Sequence, residues 1–303
     1  MNVKFKNEVA VSGKLFGLGR FGLKTDKEGR ISGSVIVLTD EKTQNTVEVN
    51  FAPQSPTYKS GKANSTYEAL KQIMEHENEA TIEKAGDAAW SVRIDGDLSN
   101  RMYHTKKQNS SEYDLHELTQ IRGSFLHIDS NAKPYIGFNV DVLFTGITRD
   151  ILEDGTDKGT ATVTARAYDD YRNYFYPVRF SIDNPLGINA LEGFPPKSKT
   201  TLSGRFVNQV IEVEEAPNSE MAFGEAAKVT APKKIFQILI TGATPAIPVE
   251  FTEEEEKAFK NNREAQILDS LNRAKDKDAS GKQSAPKAAA APVVKSSGSD
   301  FDF

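Results

Sequence analysis

A short pattern, apolar-x-Gly-x-apolar, recurs at strand-like positions of this chain and restricts its fold more than any other feature. It occurs as Val11-Ser-Gly13-Lys-Leu15, Ile94-Asp-Gly96-Asp-Leu98, Ile121-Arg-Gly123-Ser-Phe125 and Leu202-Ser-Gly204-Arg-Phe206. Glycine weakens a strand but permits a sharp bend or bulge, and a small closed barrel requires such coiling. Gly123 lies 110 residues after Gly13, and Gly204 lies 108 after Gly96. Two pairs at nearly one spacing predict a duplicated, domain-sized module.

The elements follow from periodicity. Val9–Phe16, Ile31–Leu38 and Thr46–Phe51 alternate as strands, with a turn over Asp40–Asn45. Ser65-Thr-Tyr-Glu68 reads as a capping box, and Tyr67, Leu70, Ile73 and Met74 follow at helical spacing. Trp90–Leu98 returns to strand alternation. In the second half Ile121–Ile128, Ile136–Thr145, Thr160–Ala167 and Tyr174–Ile182 read as strands, Pro185–Leu191 as a short helix, then Thr200–Val213 and Ile235–Thr241 as strands. About three strands, a helix and further strands in about 110 residues is the order of an OB fold, a partly open five-stranded barrel that binds oligonucleotides. The expectation is a mainly β chain of two tandem OB-like barrels, over 1–115 and 116–250.

After Pro248 the character changes. Thr252-Glu-Glu-Glu255 is a second capping box, opening a helical segment placed at 251–274 with Phe259, Ile267, Leu268 and Leu271 as its apolar members. Residues 275–303 are rich in Lys, Ala, Ser, Pro and Gly with little apolar bulk up to Ser299, so they are expected to stay disordered. They end in Asp300-Phe301-Asp302-Phe303.

Composition excludes several classes. Cysteine is absent, which removes disulfides, thiolate metal sites and thiol nucleophiles. No run approaches the roughly 20 apolar residues of a membrane helix, and Met1–Lys6 lacks the apolar region of a secretory signal; a cytoplasmic protein is expected. His76, His104, His116 and His127 have no metal-ligand spacing, and no hydrolase or Walker motif occurs. Gly17-x-Gly19-x-x-Gly22 matches a dinucleotide fingerprint, but a strand rather than a helix follows it, so it reads as a strand-to-strand loop. Asp169-Asp170 reads as a charge pair on a turn. Neither an enzyme nor a cofactor is expected.

What remains is a binding surface. Single-stranded nucleic acid is held by aromatic faces that stack on bases and by cations that track phosphates. Net charge is −5, yet residues 1–30 hold seven Lys/Arg against three acids, and local potential decides binding. Candidates in the first module are Phe16, Arg20, Phe21 and Lys24 in and beside the Gly-rich run, then Phe51, Tyr58 and Lys59. Arg93, Arg101, Tyr103, Lys106 and Lys107 follow. In the second they are Arg122 and the stretch 166–180, with Arg166, Tyr168, Tyr171, Arg172, Tyr174, Tyr176 and Arg179.

The C-terminus resembles that of bacterial and phage single-stranded DNA-binding proteins, which carry a flexible linker and an acidic-aromatic tip ending in Phe. The resemblance implies that Asp300, Phe301, Asp302 and Phe303 recruit replication or recombination partners. Tandem modules set the chain apart from the single-barrel bacterial form, and a phage-type, monomeric or weakly associating relative is the nearer resemblance. The expected function is sequence-tolerant binding of single-stranded DNA in replication or recombination. The competing expectation is a β-rich virion structural or assembly protein that ignores DNA.

Overall fold

The computed structural model describes residues 4–108, 110–215 and 229–280, with side chains throughout except at 209–215 and 229–234. The first half forms β1 (Asn7–Thr25), β2 (Ile31–Asp40) and β3 (Asn45–Gln54), paired antiparallel in that order. The chain then crosses through α1 (Ser65–Glu75), α2 (Glu77–Ala80) and α3 (Ile82–Ala85). It returns as β4 (Ser91–Lys106) and β5 (Tyr113–Ile128). β5 lies parallel to β3 and antiparallel to β4, and β4 pairs with β1. The strands therefore close in the order 1-2-3-5-4-1.

The second half repeats this. β6 (Tyr135–Ile151), β7 (Asp157–Asp169) and β8 (Tyr174–Ile182) pair in series. α4 (Pro185–Glu192) leads to β9 (Ser198–Glu215) and β10 (Val229–Ala243), followed by the short β11 (Ile247–Pro248). β10 is parallel to β8 and antiparallel to β9, and β9 closes on β6. The chain is mainly β, with the OB strand order twice and a long C-terminal helix, α5 (Glu253–Ala279).

The barrels join edge to edge. β1 pairs antiparallel with β6 from Asn7↔Val140 to Ser12↔Tyr135. Val9 faces Gly96 of β4 on one side and Phe138 of β6 on the other, while Phe138 faces Gly204 of β9. Val9 and Phe138 thus hold the same place in their barrels and meet at a local pseudo-two-fold axis. One contiguous apolar core runs through both barrels, including Val9, Val11, Leu15 and Ile94 of the first and Phe138, Tyr176, Phe180 and Phe206 of the second. Asn45, buried at the β2–β3 turn, donates from Nδ2 to the Phe206 carbonyl (3.0 Å) and accepts from the Asn208 amide (2.6 Å).

Gly96 and Gly204 occupy equivalent corners, where a Cβ would collide with the carbonyl oxygens of Arg122 and Leu239 respectively. Their separation of 108 residues is the true repeat for the fourth strands. Gly13 and Gly123 are not equivalent: Gly123 lies on β5, directly opposite Gly96. Close strand crossings demand glycine on several strands of one barrel, so the pattern recurs within a module as well as between modules. The division drawn between residues 115 and 116 runs through β5, whose partners β4 and β3 belong to the first barrel; the strand pairing changes hands over 129–134.

Helix termini differ in detail. Asn64, not Ser65, caps α1, its side-chain oxygen accepting from the Thr66 and Tyr67 amides (3.1 and 3.4 Å); an amide side chain in extended backbone serves as well as a hydroxyl. The Thr252–Glu255 capping box is present, but α5 continues past Ala274 to Ala279, through residues expected to be disordered. Asp300, Phe301, Asp302 and Phe303 lie outside the described residues. Among the described residues no helix is long and apolar enough to cross a membrane.

Candidate nucleic-acid interface

The Gly-rich run builds a bulge. Leu18 pairs with Val35 and Leu23 with Gly33, so five steps along β1 oppose two along β2 and the extra chain must leave the ladder. Gly22 takes a left-handed φ of 62°, and a Cβ on Gly19 would collide with the Ser34 hydroxyl and the Glu48 carboxylate. Only glycine fits both demands cheaply. The result lifts Arg20 and Phe21 off the barrel. Phe21 is 63% exposed, with the Arg20 guanidinium 5.4 Å and the Lys24 ammonium 5.7 Å from its ring centroid. Arg20 and Lys24 are also exposed, giving a cation–aromatic cluster open to solvent. The turn beyond is braced by Arg30, whose Nε donates to Asp26 at 2.7 Å. The Arg30 amide and guanidinium hold the Asp26 carboxyl below its ordinary pKa.

The β4–β5 hairpin supplies a second group. Leu98 and Ile121 point into the barrel, so alternation places Ser99, Arg101 and Tyr103 with Gln120, Leu118 and His116 on the outer side. Tyr103 stacks on His116 (centroids 4.9 Å, 18° between planes), and Thr105 Oγ1 lies 2.7 Å from His116 Nε2. Arg101 is exposed. The opposite side of the hairpin faces α5: Arg263 bonds Glu117 (3.0 Å), Ser270 meets His104 Nδ1 (2.9 Å), and Tyr113 donates to Asp278 (2.7 Å).

Several predicted contacts are already engaged. Lys106 pairs with Asp278 (3.9 Å), and Lys107 with Glu112 (2.8 Å) and Asp114 (3.6 Å). Arg122 meets Asp97 at 3.0 Å. Burial pushes the Asp97 carboxyl above its ordinary pKa despite the Arg122 charge. Phe16 is half-buried, whereas Tyr58 and Lys59 are exposed in the loop after β3. Arg93 is exposed on the outer side of β4, 3.8 Å from Asp129.

The 166–180 stretch requires correction. Tyr174 and Tyr176 are fully buried in the main core, Tyr176 donating to the Leu98 carbonyl at 2.7 Å. Phe51 is likewise core, its ring filling the space over Gly123. None of these three can stack on a base in this structure, because the interior of a five-stranded barrel must be filled by large side chains. Tyr168 is buried under α5. Arg172 pairs with Asp169 (3.4 Å). Arg166 is half-buried, and burial with the nearby Arg263 charge lowers its pKa. Tyr171, at 85%, and Arg179 remain exposed.

Two exposed rings escaped the sequence reading. Phe125 and Tyr135 flank Arg93 across the outer side of β5, β4, β1 and β6. Phe125 counts as an inward strand residue by simple alternation. A bulge turns it out, since Asp95 and Gly96 oppose Phe125 and Gly123.

Two barrels of OB strand order, the first bearing an exposed cation–aromatic cluster, define a mainly β protein with OB-like topology. The chain belongs to the YorF family, whose model matches residues 6–273. Among solved structures it is similar to the wild-type single-stranded DNA binding protein from Thermus aquaticus, at 12% identity and a TM-score of 0.47, covering 82% of this chain and 96% of that one. A deletion mutant of the same Thermus aquaticus protein gives 11% identity and a TM-score of 0.46, covering 83% and 98%. No curated protein matches the chain.

Proposed function

We propose that this chain binds single-stranded DNA with little regard to sequence, serves replication or recombination, and catalyses no reaction. One observation carries the reading. On a barrel type whose second and third strands and adjoining loops receive oligonucleotides, a glycine-built bulge holds Phe21 in solvent between two cations. The Arg101, Tyr103 and His116 side of the β4–β5 hairpin carries a second group of the same kind. Stacking and phosphate contact then coincide, as sequence-tolerant binding requires.

The chain acts on this reading as a cytoplasmic monomer or weak oligomer, and its Asp300–Phe303 tip recruits protein partners. Size-exclusion chromatography with and without oligo-dT tests it. A shift of the chain to a DNA complex at low salt is expected, with RNA and duplex competitors ranking the preference. Strong self-association with no response to oligonucleotide would instead favour a virion assembly role. Truncation after Lys295 is expected to abolish capture of replication proteins while leaving the barrels able to bind DNA.

A further inference from the structure

The outer face of β7 and β8 on the second barrel is partly covered by the chain itself. Ala161, Val163, Ala165 and Ala167 point inward from β7, which turns Thr162, Thr164, Arg166 and Tyr168 outward. On β8, Tyr174, Tyr176, Val178 and Phe180 fill the core, leaving Phe175, Pro177 and Arg179 on the outer side. Pairing sets Tyr168 opposite Phe175 and Thr164 opposite Arg179. The outer side of this barrel's second and third strands thus has two aromatic rings at one end and arginines further along, the combination that holds single strands.

Tyr168 and Phe175 do not belong to the barrel core. They form a separate cluster with Leu143 and Phe259 of α5, and Phe5 and Phe251 pack at its border. The Phe259 ring lies edge-on to Phe175 (5.1 Å) and Tyr168 (6.1 Å). Phe259 is the one buried residue among the 27 of α5. The other ties of the helix are polar: Arg263 to Glu117, Asn262 to the Asn173 carbonyl (2.9 Å), Ser270 to His104. The first turn of α5 holds Glu253, Glu254, Glu255 and Glu256. Burial raises the Tyr168 hydroxyl pKa, and the charges of Asp170, Asp169 and Glu255 add to it. The cover is acidic at its first turn and has Phe259 as its aromatic anchor, with polar ties to the β4–β5 hairpin and the β7–β8 turn along the rest of the helix.

We propose that the β7–β8 surface is a second single-stranded DNA subsite, normally covered by α5, which DNA displaces by binding the uncovered form. This rests on the nucleic-acid reading above. A ligand shifts such an equilibrium only through its preference for one state, so bound DNA must loosen the helix.

The test begins with the unmodified chain and amide hydrogen exchange across 253–265. Saturating oligo-dT is expected to speed exchange there; unchanged exchange at saturation overturns the proposal. Stoichiometry follows, with a short oligo-dT of about ten nucleotides, within the roughly 4–16 that one barrel covers. Phe259→Ala is expected to bind its second equivalent more tightly than the unmodified chain does, since the cover no longer competes, and Arg179→Glu added to it to remove that second equivalent. Fast exchange of α5 in Phe259→Ala with only one equivalent bound contradicts the subsite. Full protection of α5 in both Phe259→Ala and Phe259→Ala/Arg263→Ala contradicts its being a displaceable cover. Failure of the unmodified chain to bind even one equivalent would overturn the nucleic-acid reading itself, a result separate from the others.

Discussion

Removing the Phe21 ring separates binding from folding more cleanly than any other single change. The side chain is 63% exposed and lies outside the core, so Phe21→Ala leaves the barrel intact. Surface changes of this kind shift stability by about 0.5 kcal/mol or less; the attraction of the ring for Arg20 and Lys24 is worth about 0.5–1 kcal/mol at an exposed site. A base stacked on the ring contributes about 1–3 kcal/mol. At 1.4 kcal/mol per tenfold that is a weakening of about 5- to 150-fold. Fluorescence anisotropy of labelled oligo-dT measures it, with a thermal melt confirming the fold, and Phe21→Trp should retain affinity. Arg20→Ala/Lys24→Ala should lower the slope of log affinity against log salt by about 0.7 for each phosphate that the two cations neutralise. Binding by Phe21→Ala within twofold of the natural chain, with an unchanged melt, would refute the stacking role.

Other perturbations probe the scaffold. Gly22→Ala places a Cβ at a φ of 62° and should cost about 1–2 kcal/mol by denaturant midpoint, weakening DNA binding as the bulge reshapes. Tyr176→Phe removes the hydroxyl from the Leu98 carbonyl and should cost about 1 kcal/mol of stability while leaving DNA affinity unchanged, since the ring is core. Burial pushes the Asp141 carboxyl up, but hydrogen bonds from Lys199, the Lys6 amide and Thr201, with the Lys199 charge, bring its pKa below the ordinary value. Its contribution is therefore complete above the unfolded pKa of about 3.9 and lost as pH falls through the lower folded value. Asp141→Asn should flatten the acid limb of stability against pH below about 4.

The strands were legible because each barrel needs alternation inside and glycine at its crossings; Gly96 and Gly204 announced equivalent corners. Topology was less legible, since Gly123 serves the same steric need on a different strand. The Arg20–Phe21 cluster could be read from the Gly-rich run, whose glycines make a bulge rather than a phosphate cradle. The aromatic richness of 166–180 misled, because Tyr174 and Tyr176 fill the barrel and Tyr168 packs under α5. Inward and outward aromatics look alike in a sequence when both faces of a strand are covered. Tyr135 and Phe125 were missed for the converse reason, their exposure being set by register and by a bulge.

Whether this chain holds single-stranded DNA through stacking and phosphate contacts is decided by titrating labelled oligo-dT with the full chain across a salt series. Saturable binding at low salt is expected, with affinity falling linearly in log–log form as salt rises and little competition from duplex of the same length. Absence of binding at low salt, or affinity indifferent to salt and equal for duplex, would contradict it.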